Sequence, residues 1–157
     1  MEPDNMDPDN EVSREIAASP AAVFAALTDI TRMGEWSSET IAAEWNEGFE
    51  SAAVGAQFTG HNKAGDAEWS TRATITELVE NERFFFDCDM NDFVFSKWGY
   101  VIEPVGDGCR VTELSQNLIP EELKAASSGI SGVEDRDAHN RETMVATLDR
   151  LAAALEG

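Results

Sequence analysis

The spacing of apolar residues in the last part of the chain predicts one long amphipathic helix from Val133 to Leu155. Steps of three and four residues place one stripe of side chains on a single helical face. This stripe is mixed at its start and apolar at its end; in order it holds Val133, Asp137, Asn140, Met144, Leu148, Leu151 and Leu155. A face that only packs on a sheet should be apolar throughout. We therefore expect the second half to seal a core and the first half to border a cavity, with the change near Met144.

Before this helix, apolar and polar positions alternate in a way that is typical of half-buried antiparallel strands. A strand over residues 12–18 is followed by Ser19 and Pro20, which form a helix-start signal for two short helices over residues 21–35. Six further strands are predicted, over residues 40–46, 56–62, 68–80, 83–89, 93–105 and 109–118. Antiparallel strands with segregated helices make an α+β arrangement, and only the last helix is long enough to cover the sheet.

The length and composition of the chain predict a single globular domain over residues 12–157, because 157 residues with 42% hydrophobic content suit one core. Residues 1–11 are expected to be a flexible acidic tail with little to bury. No apolar run approaches the roughly 18 residues that cross a bilayer, and the N-terminus does not resemble a signal peptide. We therefore expect a cytoplasmic protein in which Cys88 and Cys109 are buried free thiols.

The charge of the chain restricts its partners. Its 31 acidic and 11 basic residues give a net charge of −20, which would repel nucleic acid or an anionic membrane surface. The sequence contains no glycine-rich phosphate loop, no Cys/His metal spacing and no nucleophile elbow. These observations predict no cofactor, no metal site, no nucleic-acid partner and no membrane span.

Three blocks of sequence carry a family resemblance. They are Val12 to Asp29 with Trp36; Val54 to Asn62 with Glu68 to Thr71; and Trp98 to Tyr100 with Glu103, Pro104 and Gly108 to Glu113. Together they resemble the START/Bet v 1-like (SRPBCC) superfamily, within it the polyketide cyclase/dehydrase-like branch. The resemblance implies a helix-grip fold, in which a curved antiparallel sheet of about seven strands wraps around a long C-terminal helix, with two short helices after strand 1. It also implies a deep cavity for lipids, polyketides or other apolar molecules, but assigns no catalytic residue.

The candidate ligand-binding residues are those expected to face such a cavity, namely Phe58, Trp69, Phe86, Trp98, Tyr100, Glu113, Asn140 and Met144. The aromatic residues either line the cavity or simply fill the core. Glu113 either points into the cavity, where its pKa would be raised, or points to solvent if the strand register shifts by one residue. Asn140 would need a hydrogen-bond partner if buried, from a ligand, a water or Glu113. His61 is expected at an exposed edge and His139 at the surface or rim.

Three hypotheses for function follow. The first is a binding protein for a small hydrophobic molecule, with a cavity lined by aromatics and only one or two polar groups. The second is a cofactor-independent cyclase/dehydrase-type enzyme, which requires convergent polar groups such as Glu113 with Tyr100 or Asn140 within hydrogen-bonding reach. The third is an acidic interaction module with a collapsed cavity. Whether the chain forms a homodimer is open at this point.

Overall fold

The computed structural model describes residues 6–90, 93–123, 126, 129 and 135–156. Its elements are β1 (Asn10–Ile16), α1 (Pro20–Thr28), a 3-10 turn (Ile30–Arg32), α2 (Met33–Trp36), β2 (Thr40–Trp45), β3 (Gln57–Ala64), β4 (Ala67–Val79), β5 (Arg83–Met90), β6 (Phe93–Val105), β7 (Gly108–Asn117), a second 3-10 turn (Glu121–Leu123) and α3 (Arg136–Glu156). Each predicted strand is present, with ends shifted by at most 2 residues. The predicted helix start at Val133 lies outside the described residues.

The seven strands form one antiparallel sheet in the order β1-β7-β6-β5-β4-β3-β2. The first strand therefore pairs with the last one, and β2 forms the other edge of the sheet. Irregularities in strand pairing occur between Ile75 and Glu77 and between Cys88 and Asp89, and such bulges bend and twist a strand. The curled sheet holds the long helix α3, with the short helices placed after β1. The predicted α+β helix-grip fold is confirmed.

The main core lies between the concave face of the sheet, α1 and one face of α3. On α3, four buried side chains belong to it: Met144, Leu148, Leu151 and Ala152. The opposing residues include Val23 and Leu27 from α1 and Ile16 and Val111 from the sheet. Removing this apolar surface from water is the main favourable contribution to folding. The C-terminal half of the helix thus seals the core, as its apolar stripe predicts.

A smaller apolar cluster covers the outer face of the sheet, and it involves the N-terminal segment. Met6 packs there with Phe85 and Leu114, and all three side chains are buried. The backbone N–H of Asp9 donates to the carbonyl of Ser115 at 2.8 Å, and β1 begins at Asn10. Residues 6–11 therefore pack on the sheet where a flexible tail was expected, because Phe85 leaves an apolar patch that Met6 covers. Residues 1–5 lie outside the described part of the chain.

Gly99 makes this outer cluster possible. A Cβ atom at position 99 would lie 2.1 Å from ring atoms of Phe85, much closer than van der Waals contact. Phe85 lies on β5 directly opposite Gly99 on β6. The absence of a side chain at Gly99 leaves room for the Phe85 ring to lie over β6. The inward positions of β5 remain free for Phe84 and Phe86, which join the main core.

Two further predictions concern burial and membrane insertion. Cys88 and Cys109 are both free and buried, as expected. Among the described residues, no helix combines the length and the apolar character needed to span a membrane.

Candidate functional site

A cavity of about 300 Å³ lies between the concave face of the sheet and helix α3. This volume is at the lower end of the roughly 300–1,000 Å³ that is usual for small-molecule sites. Strands β3 to β7 supply one wall, α3 supplies the other, and Leu27, Met33 and Trp36 contribute from the short helices. The curvature of the sheet keeps part of its concave face away from α3, and the cavity occupies that space.

The aromatic residues of the candidate site line this cavity: Phe58, Trp69, Phe86, Trp98 and Tyr100. They lie on β3, β4, β5 and β6, and the alternation of side chains along each strand directs them to the concave face. Phe58 and Phe86 also pack edge to face, with ring centroids 5.4 Å apart, so they belong to the core as well as the wall. The Trp98 indole Nε1 donates to Ser96 Oγ at 3.0 Å. Both interpretations of these aromatics, core and cavity lining, therefore apply.

Glu113 and Tyr100 form a buried pair on this wall. Tyr100 lies on β6 directly opposite Glu113 on β7, and its hydroxyl donates to Glu113 Oε2 at 3.1 Å. Both residues line the cavity, and Glu113 is only 3% exposed. The other carboxyl oxygen, Oε1, is buried without a hydrogen-bond partner among the described residues. The register that points Glu113 to solvent is therefore wrong.

Burial changes the acid–base properties of this pair. Desolvation raises the pKa of Glu113 from an ordinary 4.5 to about 8, although the hydrogen bond from Tyr100 lowers the pKa in part. Desolvation, followed by the adjacent Glu113 charge, raises the pKa of Tyr100 well above 10. The Glu113 carboxyl is therefore mainly protonated at neutral pH. A neutral carboxyl in a cavity can donate a proton as well as accept one.

A second polar group lies where the first turn of α3 meets the loop after α2. Arg136 Nη1 donates to both carboxylate oxygens of Glu39 at 2.8 Å, and His139 Nε2 lies 3.0 Å from Glu39 Oε2. The Arg136 guanidinium also lies 5.7 Å from the centroid of the Trp69 ring. Glu39 and Arg136 line the cavity, and His139 contacts Glu39 beside it. The rim position expected for His139 agrees with this placement.

Asn140 is 4% exposed and lines the cavity, as its place on the inward stripe predicts. Its Oδ1 accepts from Arg136 Nη1 at 3.2 Å, so its partner comes from the preceding turn of its own helix. This differs from the expected ligand, water or Glu113. Glu39 and Arg136 are not among the site residues predicted from the sequence. Their pairing joins positions 97 residues apart in the chain, and no local pattern signals it.

Met144 is the one candidate residue that does not line the cavity. It is fully buried in the core, and Ser115 Oγ donates to its Sδ at 3.4 Å. The lining residues of α3 are instead Arg136, Asn140, Thr143 and Thr147. Cavity-lining and core residues therefore occupy different angles around the helix axis, and are not divided into two halves of the helix at Met144. Helical geometry explains this, because Thr143 and Met144 are about 100° apart around the axis.

Three exposed apolar side chains mark the opening of the cavity. Met90, Phe93 and Leu123 line it and are also 37%, 46% and 47% exposed. Residues that are both solvent-exposed and cavity-lining lie where the cavity meets solvent, and these three are not among the residues predicted from the sequence. His61 does not line the cavity; its ring nitrogens contact Ser70 on β4 and Glu44 on β2. It therefore lies on the surface of the sheet between two strands, and not at the expected exposed edge. The described residues contain no group of three or more His, Cys, Asp or Glu side chains that could hold a metal ion.

The fold and the cavity define a class: helix-grip proteins that enclose a space of ligand size beneath their C-terminal helix. The chain belongs to the family described as polyketide cyclase / dehydrase and lipid transport, whose sequence model matches residues 8–156. The resemblance to the polyketide cyclase/dehydrase-like branch of the SRPBCC superfamily is thereby confirmed. No curated protein matches the chain.

Solved structures support the same fold. The Polyketide_cyc-like protein Cgl2372 from Corynebacterium glutamicum is similar with 28% identity, 94% of this chain and 88% of that one covered, and a TM-score of 0.54. Protein NE0264 from Nitrosomonas europaea is similar with 15% identity, 94% of each chain covered and a TM-score of 0.68. The di-domain aromatase/cyclase StfQ of the steffimycin biosynthetic pathway has 12% identity and a TM-score of 0.70. The match covers 94% of this chain and 50% of StfQ.

Proposed function

We propose that this protein binds a small hydrophobic molecule, such as a lipid, a polyketide or an aromatic metabolite, in the cavity between the sheet and α3. The observation that carries the proposal is a cavity of about 300 Å³ with eight aromatic side chains in its wall. An apolar ligand in such a cavity gains packing contacts with the aromatic wall and removes apolar surface from water. The family description, which combines polyketide cyclases or dehydrases with lipid transport, supports the same function.

The test compares the ability of matched variants to bind the environment-sensitive dye Nile red. Thr143→Phe places a large side chain in the cavity, since Thr143 lines it and its hydroxyl donates to the Asn140 carbonyl of its own helix at 2.9 Å. The control is Val145→Phe, which adds a similar side chain on the exposed face of the same helix. We expect Thr143→Phe to weaken dye binding at least about tenfold, and Val145→Phe to leave it unchanged.

Native mass spectrometry of the purified protein supplies an independent readout. We expect a bound mass in the wild type that is lost in Thr143→Phe and retained in Val145→Phe. Equal dye binding by the two variants would place the binding site outside the cavity and would contradict the proposal.

A second candidate function is catalysis of a cyclase/dehydrase type, and the Glu113–Tyr100 pair favours it. The enzyme hypothesis requires two convergent polar groups within hydrogen-bonding reach, and 3.1 Å between Tyr100 Oη and Glu113 Oε2 meets that requirement. In a dehydration, neutral Glu113 would give its proton to a leaving hydroxyl, which departs as water. The resulting carboxylate, held by Tyr100, would take a proton from the adjacent carbon, so that a double bond forms and the neutral acid is restored.

The catalytic candidate is tested with an aromatic β-hydroxyketone, whose dehydration to a conjugated enone is followed by absorbance. We expect Glu113→Gln to abolish enone formation and to retain ketone binding. The control is Glu103→Gln, which removes an exposed carboxyl group from β6. Enone formation at the same rate in both variants would exclude Glu113 as the acid.

The third hypothesis, an acidic interaction module, requires a collapsed cavity, and the cavity of about 300 Å³ does not agree with it. A homodimer stays a prediction, which sedimentation analysis of the purified protein tests directly.

A further inference from the structure

We propose that the ligand is an uncharged molecule with a hydrogen-bond-accepting oxygen of carbonyl type, and that this oxygen binds the protonated oxygen of Glu113 when that side chain turns toward the cavity. The inference rests on the proposed binding function and adds the chemical class of the ligand. Glu113 is 3% exposed and lines the cavity, and its Oε1 is buried without a hydrogen-bond partner among the described residues. Buried polar atoms nearly always have a partner, so a partner from outside the chain is expected here.

The hydrogen bond from Tyr100 determines which kind of atom this partner is. Tyr100 donates its hydroxyl proton to Oε2, so in the neutral acid Oε2 acts as the carbonyl oxygen and Oε1 carries the proton. Oε1 itself has almost no accessible surface, so its proton reaches an acceptor in the cavity through a small rotation of the Glu113 side chain. A ketone, quinone or similar carbonyl oxygen fits this position, whereas an ammonium or amide N–H does not.

The charges around the cavity indicate that the ligand is uncharged. Among the described residues, the charged or acidic groups that line it are Glu39, Glu113 and Arg136. Arg136 donates to both oxygens of Glu39, so with neutral Glu113 the lining charges cancel. The remaining titratable lining groups, Tyr100 and Cys88, stay neutral because burial raises both pKa values, that of Cys88 to about 12.

The surroundings of Glu113 add no opposing charge. Val12 of β1 lies directly opposite it on the other neighbouring strand, and it is apolar. Of the α3 residues that line the cavity, Asn140, Thr143 and Thr147 are uncharged, and Arg136 is paired with Glu39. A net charge of −20 on the whole chain further disfavours an anionic ligand.

The test uses two flat tricyclic probes of nearly equal shape, fluorenone, which has a carbonyl group, and fluorene, which has a methylene group in its place. For each protein variant the ratio of the two dissociation constants is measured, so that changes in the apolar part of the cavity cancel. A carboxylated fluorene serves as the anionic probe. We expect the wild type to prefer fluorenone, and the anionic probe to bind at least about tenfold more weakly than fluorenone.

Three variants show whether the preference depends on Glu113. Glu113→Gln keeps one acceptor for Tyr100 and one donor for the ligand, so it should retain the preference for fluorenone. Glu113→Leu removes the donor and should reduce the preference about tenfold, the equivalent of leaving one buried polar group unpaired. Glu103→Gln, which changes an exposed carboxyl group, should match the wild type.

A spectroscopic readout separates hydrogen bonding from indirect structural effects. The infrared carbonyl stretch of bound fluorenone should lie at lower frequency in the wild type and Glu113→Gln than in Glu113→Leu. If all three proteins show the same band and the same probe ratio, Oε1 binds a water or nothing, and the inference is overturned while the binding function stands. Preferential binding of the anionic probe would also overturn it. If none of the probes binds, the proposed function fails, and this inference fails with it.

Discussion

Two faces of the same helix, α3, perform opposite tasks. Its core face, formed by Met144, Leu148, Leu151 and Ala152, is fully buried and packed against the sheet. Its cavity face, formed by Arg136, Asn140, Thr143 and Thr147, is polar and borders open space. The two stripes run side by side along the helix, about 100° apart. One helix can therefore anchor the fold and form a binding wall, because helical geometry separates the two sets of side chains.

The hydroxyl groups of the cavity face do not need a partner across the cavity. Thr143 Oγ1 donates to the Asn140 carbonyl at 2.9 Å, and Thr147 Oγ1 donates to the Thr143 carbonyl at 2.7 Å. Local bonds of this kind satisfy threonine within its own helix. The polar stripe can thus border an open space without leaving its hydroxyl groups unpaired. The opposite wall differs, because Glu113 on β7 has a hydrogen-bond partner among the described residues for only one of its two carboxyl oxygens.

The largest expected effect concerns Glu113, whose ionisation should make the free energy of unfolding depend on pH. Because burial raises the Glu113 pKa from 4.5 to about 8, the folded carboxyl stays protonated where the unfolded one ionises. The stabilising effect of the raised pKa is present below about pH 4.5, is lost as the pH rises, and is gone above about pH 8. At about 1.4 kcal/mol per pKa unit, the loss relative to Glu113→Gln is at most roughly 5 kcal/mol.

Urea denaturation of the wild type and Glu113→Gln, between about pH 4 and pH 9, measures this difference. The two stability curves should separate as the pH rises, with Glu113→Gln becoming relatively more stable. Parallel curves would show that the Glu113 carboxyl is not desolvated, and the cavity wall would then resemble the protein surface.

The next effect compares adjacent positions on the two faces of α3. Leu148→Ala removes a buried side chain from the core and should lower the free energy of unfolding by about 2–5 kcal/mol. Thr147→Ala removes a side chain that borders existing space and whose hydroxyl donates to the Thr143 carbonyl of its own helix, so we expect a loss below about 1 kcal/mol. Chemical denaturation checks both variants. Equal losses would mean that the two faces are packed alike and that the cavity is filled or closed in solution.

The smallest effect is expected at Asn140, one turn after the start of the cavity face. Asn140→Leu removes one acceptor of Arg136 Nη1, but the bonds from this nitrogen to Glu39 remain. The new side chain borders open space, so the free energy of unfolding should fall by less than about 1 kcal/mol. Thermal and urea unfolding measure the change. A loss of several kcal/mol would instead identify Asn140 as a structural residue of the α3 N-terminal turn.

The local sequence pattern was sufficient for the elements of the fold. Alternation of apolar and polar positions identified the strands, and turn residues identified where they end, because these signals depend on residues within a few positions of each other. The apolar end of the Val133–Leu155 stripe identified the core half of the last helix. The aromatic wall could also be predicted from the sequence, since Trp69, Trp98 and Tyr100 occupy alternating positions on strands whose inner face must be apolar.

Other features depended on how the elements meet. The direction of Glu113 follows from the pairing of β6 with β7, and a shift of one residue would reverse it. The Glu39–Arg136 pair and the contact of Met6 with Phe85 join residues far apart in sequence. Thr143 and Thr147 line the cavity and Met144 does not. The observed cavity face is therefore turned around the axis of α3 by about one residue from the predicted face. Hydrophobic periodicity cannot distinguish the two stripes, because both face the interior of the protein. The packing of α3 against the curved sheet determines which stripe faces the cavity.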